Sequence, residues 1–188
     1  GSANDLAAAL GIPSDPAEAC HLLQKGKPRA IDLLSVNGSL FATCGGTDVA
    51  ASVAARADRW KRRKGWHPLA RLLGRSQYTA AALCGLLRPI PKRSIVVDCA
   101  DRTRVFDAVA LLVSNQPRFG GRFRASPGAS NQDGLLDLCL IPRPRGPRNW
   151  MQLLQRAWQG ELWTLPGAEN VKVCEATITA SSPVRFFG

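Results

Sequence analysis

Two periods of apolar residues run along this chain, helical through much of its first half and alternating in its second. Small and polar residues lead into Leu6, Ala7, Ala8, Ala9 and Leu10, a short apolar helix that Gly11 and Pro13 stop. A second helix is predicted over residues 16–24, with Asp15 as its cap, Ala19, Leu22 and Leu23 on one face, and Gly26 and Pro28 beyond its end. Residues 30–42 hold two short apolar runs around Asn37-Gly38. Both turn residues tolerate positive φ, so the segment reads as a β-hairpin. Gly45-Gly46 reads as a break. It is followed by an Ala-rich helix over residues 48–64, ending in the cationic run Arg59, Lys61, Arg62, Arg63 and Lys64, and by a second long helical pattern over residues 69–87.

From Ser94 the period changes to that of strands, over residues 94–99 and 104–114 with Asp101-Arg102 at the turn between them. Loops rich in Pro and Gly then alternate with strands over residues 123–125 and 135–141. A proline- and arginine-rich loop over residues 142–147 leads to an amphipathic helix over residues 149–159, with Trp150, Leu153, Leu154 and Trp158 on its apolar side. Two closing strands are predicted over residues 171–180 and 183–187. Helices early and strands late predict an α+β fold: the remnant of an α/β domain followed by a mostly antiparallel β-sandwich.

With 188 residues, 45% of them hydrophobic, the chain can bury one good-sized core or two small ones. Its formal charge of +11 is compatible with an anionic partner. Nucleic acid fits poorly, because aromatic residues are 6% of the chain and no zinc module or aromatic RNA-binding motif is present. An anionic membrane surface or a polyphosphate ligand fits as well as charge alone can show. The six cysteines, at positions 20, 44, 84, 99, 139 and 174, form no metal-ligand spacing and read as reduced thiols. No run approaches the roughly 18 apolar residues of a membrane span, and no signal peptide opens the chain. Because the chain opens on Gly and on a turn entering a helix, something upstream is expected to have been removed.

Three constellations carry candidate chemistry. In Gly1-Ser2-Ala3-Asn4-Asp5, a glycine and a hydroxyl at a helix start can present donors to phosphate oxygens, and an ordinary helix cap explains the same residues. Around Asp133-Gly134, one carboxylate in a tight turn stands among carbonyls of the kind that hard cations such as Mg²⁺ collect; a plain turn before a strand is equally open. Asp5, Asp32 and Asp48 each flank a turn or an element start, where aspartate is common in its own right. His21 and His67 lack the setting of a nucleophile's partner, and the five tryptophans read as packing residues.

Taken in order, these stretches resemble the catalytic domains of diacylglycerol kinases, in particular the YegS-like bacterial lipid kinases. Gly1 to Ala7 followed by Leu10-Gly11-Ile12-Pro13 resembles the family's Gly-Thr-x-Asn-Asp-(Phe/Leu)-Ala signature and its Leu-Gly-Ile-Pro. Ile31-Asp32-Leu33, Val36-Asn37-Gly38 and Phe41 match a second segment, and Gly46-Thr47-Asp48 a third. Residues 115–127, with Gly120-Gly121, and Asp133-Gly134-Leu135-Leu136-Asp137 match the last two. Five ordered matches are far more specific than any one alone.

The resemblance implies an α/β nucleotide-binding remnant over residues 1–29, its N-terminal part missing, and a β-sandwich lipid-kinase domain over residues 30–188 with inserted helices and a truncated end. It implies transfer of the γ-phosphoryl group of ATP to a lipid hydroxyl, with diacylglycerol or a related lipid as substrate and Mg²⁺ neutralising charge. Gly1 and Ser2 would contact ATP, while Asn4, Asp5 and Asp32 would belong to an aspartate–water–magnesium network. Asp133, with the carbonyls of Ser130 and Leu135, would form a structural Mg²⁺ site. Expected with these are a cytoplasmic protein peripherally associated with an anionic membrane, no nucleic-acid partner, and a homodimer as one arrangement open to it. The family's Gly-Gly-Asp-Gly-Thr nucleotide loop would lie before Gly1 and its general base beyond Gly188, so the chain alone is expected to be inactive. Thr47 and Val49 depart from the family pattern and leave the role of Asp48 open. Alternatives are an NAD kinase relative and a non-catalytic basic module that binds anionic membranes or RNA.

Overall fold

The computed structural model of the chain describes residues 4–62, 94–99, 102–121 and 123–187. The helix predicted over residues 69–87 and the residues Gly1, Ser2, Arg63 and Lys64 lie outside them. Two helices come first, α1 (Asp5–Ala9) and α2 (Pro16–Lys25). The Asp15 carboxylate accepts the N–H groups of Ala17 and Glu18 at 3.0 Å each and so caps α2, as its position before Pro16 predicts. Neither helix buries a residue.

The hairpin forms as β1 (Leu34–Val36) and β2 (Ser39–Phe41), with Asn37 and Gly38 at φ 49° and 81°. The Gly45-Gly46 pair, expected to break the chain, instead lies within strand β3 (Cys44–Thr47). Glycine is required there by tertiary contact: a Cβ on Gly45 would overlap the Phe186 ring, and one on Gly46 would come within 2.9 Å of the Leu111 carbonyl oxygen. Helix α3 (Val49–Arg62) follows.

Among the described residues the central sheet has seven strands. β4 (Ser94–Cys99) pairs with the first part of β5 (Arg102–Ser114), whose second part pairs with β8 (Leu136–Pro142) and with β3. The described strand β5 begins at Arg102 rather than at residue 104. β6 (Arg118–Phe119) and β7 (Phe123–Arg124) form a separate small ladder, and helix α4 (Pro147–Gln159) follows β8. The single strand expected over residues 171–180 is two. β9 (Glu169–Val173) pairs with β8, then the chain leaves that edge and returns as β10 (Thr177–Ala180) beside β4. Of residues 183–187 only β11 (Phe186–Phe187) is strand, paired with β3. Every ladder of this sheet is antiparallel.

A bulge in β5 between Ala108 and Ala110 sets which side chains face which layer. On one face Leu111 and Val113 pack with Leu138, Leu140, Ile95 and Val97; on the other Val109, Ala110 and Leu112 pack with Cys139, Ile141 and the α4 residues Leu153 and Ala157. Both faces are buried, so β5 and β8 read as near-continuous apolar runs. In α4, Trp150, Leu153 and Leu154 meet the core as expected, but Trp158 is 59% exposed, because Leu153 and Ala157 already fill the stripe against the sheet.

Candidate functional site

Between the sheet and its covering helices lies a cavity of about 270 Å³. Val49, Ala50, Val53 and Ala54 of α3 form one wall, Val109, Ala110, Leu112 and Ile141 of the sheet another, and Leu153 and Ala157 of α4, with Phe119 and Phe123, complete it. The small residues of α3 and α4 keep the helices close to the sheet without filling the space between. Among the described residues hydrocarbon lines the cleft almost throughout, and the one carboxylate on its wall is Asp5. A site of this kind holds an apolar chain and offers it one polar end.

Asp5 is positioned by the start of α1, where Asn4 adopts φ 53°. Its Oδ1 accepts the N–H of Gly121 at 2.9 Å, in a turn where Gly120 and Gly121 both take positive φ. The turn thus joins the first helix to the sandwich. Cys44 also lines the cleft; burial, with the Asp5 carboxylate adding to it, pushes its thiol up to about 12, so the sulfur stays protonated and is no nucleophile at neutral pH.

Asp32 serves a second turn. Its Oδ2 accepts the N–H of Gly134 at 2.9 Å, its own N–H donates to the Asn131 carbonyl at 2.8 Å, and its carbonyl accepts from Asn115 Nδ2 at 2.7 Å. The fold therefore brings Asp32 together with the loop that carries Ser130, Asp133 and Leu135. Asp5 holds the Gly120-Gly121 turn instead, and Asp48, at φ 52°, starts α3, where its carbonyl accepts the Ser52 N–H. Each of the three aspartates is engaged at a different turn.

Around Asp133 the carboxylate is already paired with a protein cation. Its Oδ2 receives the Lys172 ammonium at 2.6 Å and its Oδ1 the Leu135 N–H at 3.1 Å, while Ser130 uses its hydroxyl oxygen to accept the Gln132 N–H. The Lys172 hydrogen bond holds the Asp133 carboxyl below its ordinary value. The Mg²⁺ site expected from Asp133 with the carbonyls of Ser130 and Leu135 would thus have to share its carboxylate with the Lys172 ammonium. Among the described residues no group of three or more His, Cys, Asp or Glu side chains is placed to hold a metal. Lys172 escaped the sequence reading because Val171-Lys172-Val173 looks like any strand with one solvent-facing position.

Residues 46–188 match the model of the YegS C-terminal NAD kinase beta sandwich-like domain. The chain belongs to this family. Among YegS-like relatives, it is 33% identical over 154 residues to the "Probable lipid kinase YegS-like" of Stenotrophomonas maltophilia strain K279a, covering 78% of this chain and 46% of that protein. It is 29% identical over 171 residues to the protein of the same name from Chromohalobacter salexigens, covering 88% of this chain and 49% of the relative. The chain thus spans about half the length of the curated relatives it matches. A solved structure from Bacillus anthracis strain Sterne, described as a diacylglycerol kinase, superposes with a TM-score of 0.65 at 17% identity, over all of this chain and 56% of that one. That likeness supports the fold: mixed helices with a mostly antiparallel, sandwich-like sheet. No described helix is long and apolar enough to cross a membrane.

Proposed function

We propose that this chain supplies the lipid cleft of an ATP-dependent lipid kinase, which transfers the γ-phosphoryl group of ATP to the hydroxyl of diacylglycerol or a related lipid. The observation that carries the reading is the cleft itself. It is an apolar slot with, among the described residues, a single carboxylate on its wall, in a chain whose relatives carry the name "Probable lipid kinase YegS-like". An acyl chain would fill the slot and leave the hydroxyl near Asp5, which Gly121 holds in place.

Asn4, Asp5 and Asp32 would stand in the polar network around Mg²⁺ brought in with ATP, and Gly1 and Ser2 would contact the nucleotide. When bound, the metal would supply charge neutralisation to the phosphates. The chain's own residues position that network: the Gly121 and Gly134 N–H groups hold the two carboxylates in orientation. Residues 1–29 belong, in this reading, to a nucleotide-binding domain and residues 30–188 to the sandwich. The protein would act at an anionic lipid surface, to which its surplus of Lys and Arg would draw it.

The test is incubation of the protein from its complete reading frame with radiolabelled ATP, Mg²⁺ and mixed lipid micelles. Label should enter an organic-soluble product. Label found only in NADP would overturn the lipid reading in favour of a dinucleotide kinase.

A further inference from the structure

Two carboxylates and one ammonium meet where β8 pairs with β9. Asp137 and Lys172 are direct cross-strand partners. From there the Lys172 side chain reaches back across the preceding loop: its Nζ lies 2.6 Å from Asp133 Oδ2 and 3.6 Å from Asp137 Oδ2, and donates to the Gly128 carbonyl at 3.0 Å. Asp137 is buried and its Oδ2 has no hydrogen bond among the described residues, so the nearby ammonium is what balances its charge. Two carboxylates and a loop carbonyl are the oxygen types a hard divalent ion gathers, but here a protein cation has gathered them. A divalent ion entering the same space would face the repulsion of that ammonium at close range.

We propose that Lys172 is the resident cation of this loop, its ammonium taking the place of a bound divalent metal and fixing residues 128–137 through Gly128, Asp133 and Asp137. The assignment goes beyond the lipid-kinase reading and does not depend on it. It also explains why a single-carboxylate turn is ordered from both sides, by Lys172 at Asp133 and by Asp32 at Gly134.

The experiment measures the melting temperature of the chain in EDTA and in millimolar Mg²⁺ at constant ionic strength, without nucleotide. Wild type should melt at the same temperature in both. Lys172→Met should melt about 2–6 °C lower in EDTA and recover most of that loss in Mg²⁺, since the vacated carboxylates are then open to the ion. The double variant Lys172→Met/Asp133→Asn should show no recovery. Mg²⁺ stabilisation of wild type that Asp133→Asn removes would overturn the proposal, and so would a Lys172→Met protein indifferent to Mg²⁺. Should Lys172→Met fail to fold, a Mn²⁺ titration of wild type followed by electron paramagnetic resonance decides: no site-bound ion is expected, and bound Mn²⁺ that Mg²⁺ displaces would refute the assignment.

Discussion

The N–H of Gly134 donates to the carboxylate of Asp32 at 2.9 Å, joining residues 102 positions apart in the chain. Gly134 sits at φ 69°, so its N–H can point away from its own strand toward the segment before β1. With the Asp32 N–H given to Asn131, the contact is reciprocal, and it clasps the loop that precedes β8 onto the chain that precedes the hairpin. Asp32→Ala should therefore cost about 0.5–1.5 kcal/mol in urea unfolding, the net range for losing a hydrogen bond whose exposed donor water can still satisfy. Asp32→Asn, which keeps an oxygen acceptor, should cost less than half as much. Hydrogen exchange at Gly134 checks the mechanism: its amide should lose protection in Asp32→Ala, and unchanged protection would place the stability elsewhere.

Gly45 and Gly46 predict a packing effect of opposite origin, one of excess atoms. Gly45→Ala would drive a methyl group into the Phe186 ring and toward the Phe187 carbonyl, and Gly46→Ala into the Leu111 carbonyl and the Ala50 side chain. Overpacking of this kind costs about 1–3 kcal/mol. Gly128→Ala, with open space around the added methyl, serves as the control. Thermal melts of the three should rank the control close to wild type and both strand variants well below it.

Much of the fold was legible because local rules and tertiary packing agree. Strand β4 occupies residues 94–99 as its alternation predicts, and Asp15, Asn37 and Gly38 do what their chemistry favours. The misses share one cause: information carried by a distant partner. Nothing near Gly45 tells of the phenylalanines that fill the space over it. Residues 171–180 look like one strand until Cys174, Glu175 and Ala176 are seen to carry the chain from the edge of β8 to the edge of β4. Spacing alone puts Trp158 on the apolar stripe, but Leu153 and Ala157 fill that place against the sheet. At the site, Asp5, Asp32 and Asp133 stand out in the sequence, but their partners Gly121, Gly134 and Lys172 lie 39 to 116 residues away from them and emerge only from the register of the sheet.

The Lys172–Asp133 pair has a pH signature. Because the native Asp133 carboxyl is held below its unfolded value by the Lys172 hydrogen bond, the stability it contributes is present above the ordinary carboxylate range and lost as pH falls through the lowered native value. Lys172, held above its unfolded value by the same bond, contributes stability below the ordinary lysine value that is lost as pH rises through the raised one. The melting difference between wild type and Asp133→Asn should be flat through neutral pH and vanish in strong acid. A difference that grows on acidification would contradict the pairing.

Thiol chemistry offers an independent check of the cleft. Cys20 and Cys174 are exposed, whereas Cys44 and Cys139 are raised to about 12 by burial. In native protein treated with iodoacetamide near pH 8, peptide mapping should find Cys20 and Cys174 alkylated and Cys44 and Cys139 protected until denaturant is added. Occupation of the cleft by a lipid should not increase labelling at Cys44; rapid native labelling there would mean that the wall beside Asp5 opens.

The cleft's proposed ligand can be tested by filling it. Ala54 lies on the α3 wall and is only partly buried, so Ala54→Trp can place its ring into the cavity without displacing the core. Each methylene moved from water to apolar contact contributes about 0.8 kcal/mol. A ring that excludes three or four methylenes of an acyl chain should therefore weaken binding by about 3 kcal/mol, roughly a hundredfold. Fluorescence titration with a pyrene-labelled diacylglycerol reads this directly. In the protein from the complete reading frame, the variant should raise KM for long-chain diacylglycerol far more than for a short-chain one, because only the longer tail reaches the blocked end. Its melting temperature should hold or rise, since filling a cavity removes empty contacts. A simple folding defect would lower activity toward both lipids together with stability, and equal loss of that kind, or equal affinity for the labelled lipid, would show that the acyl chain lies elsewhere.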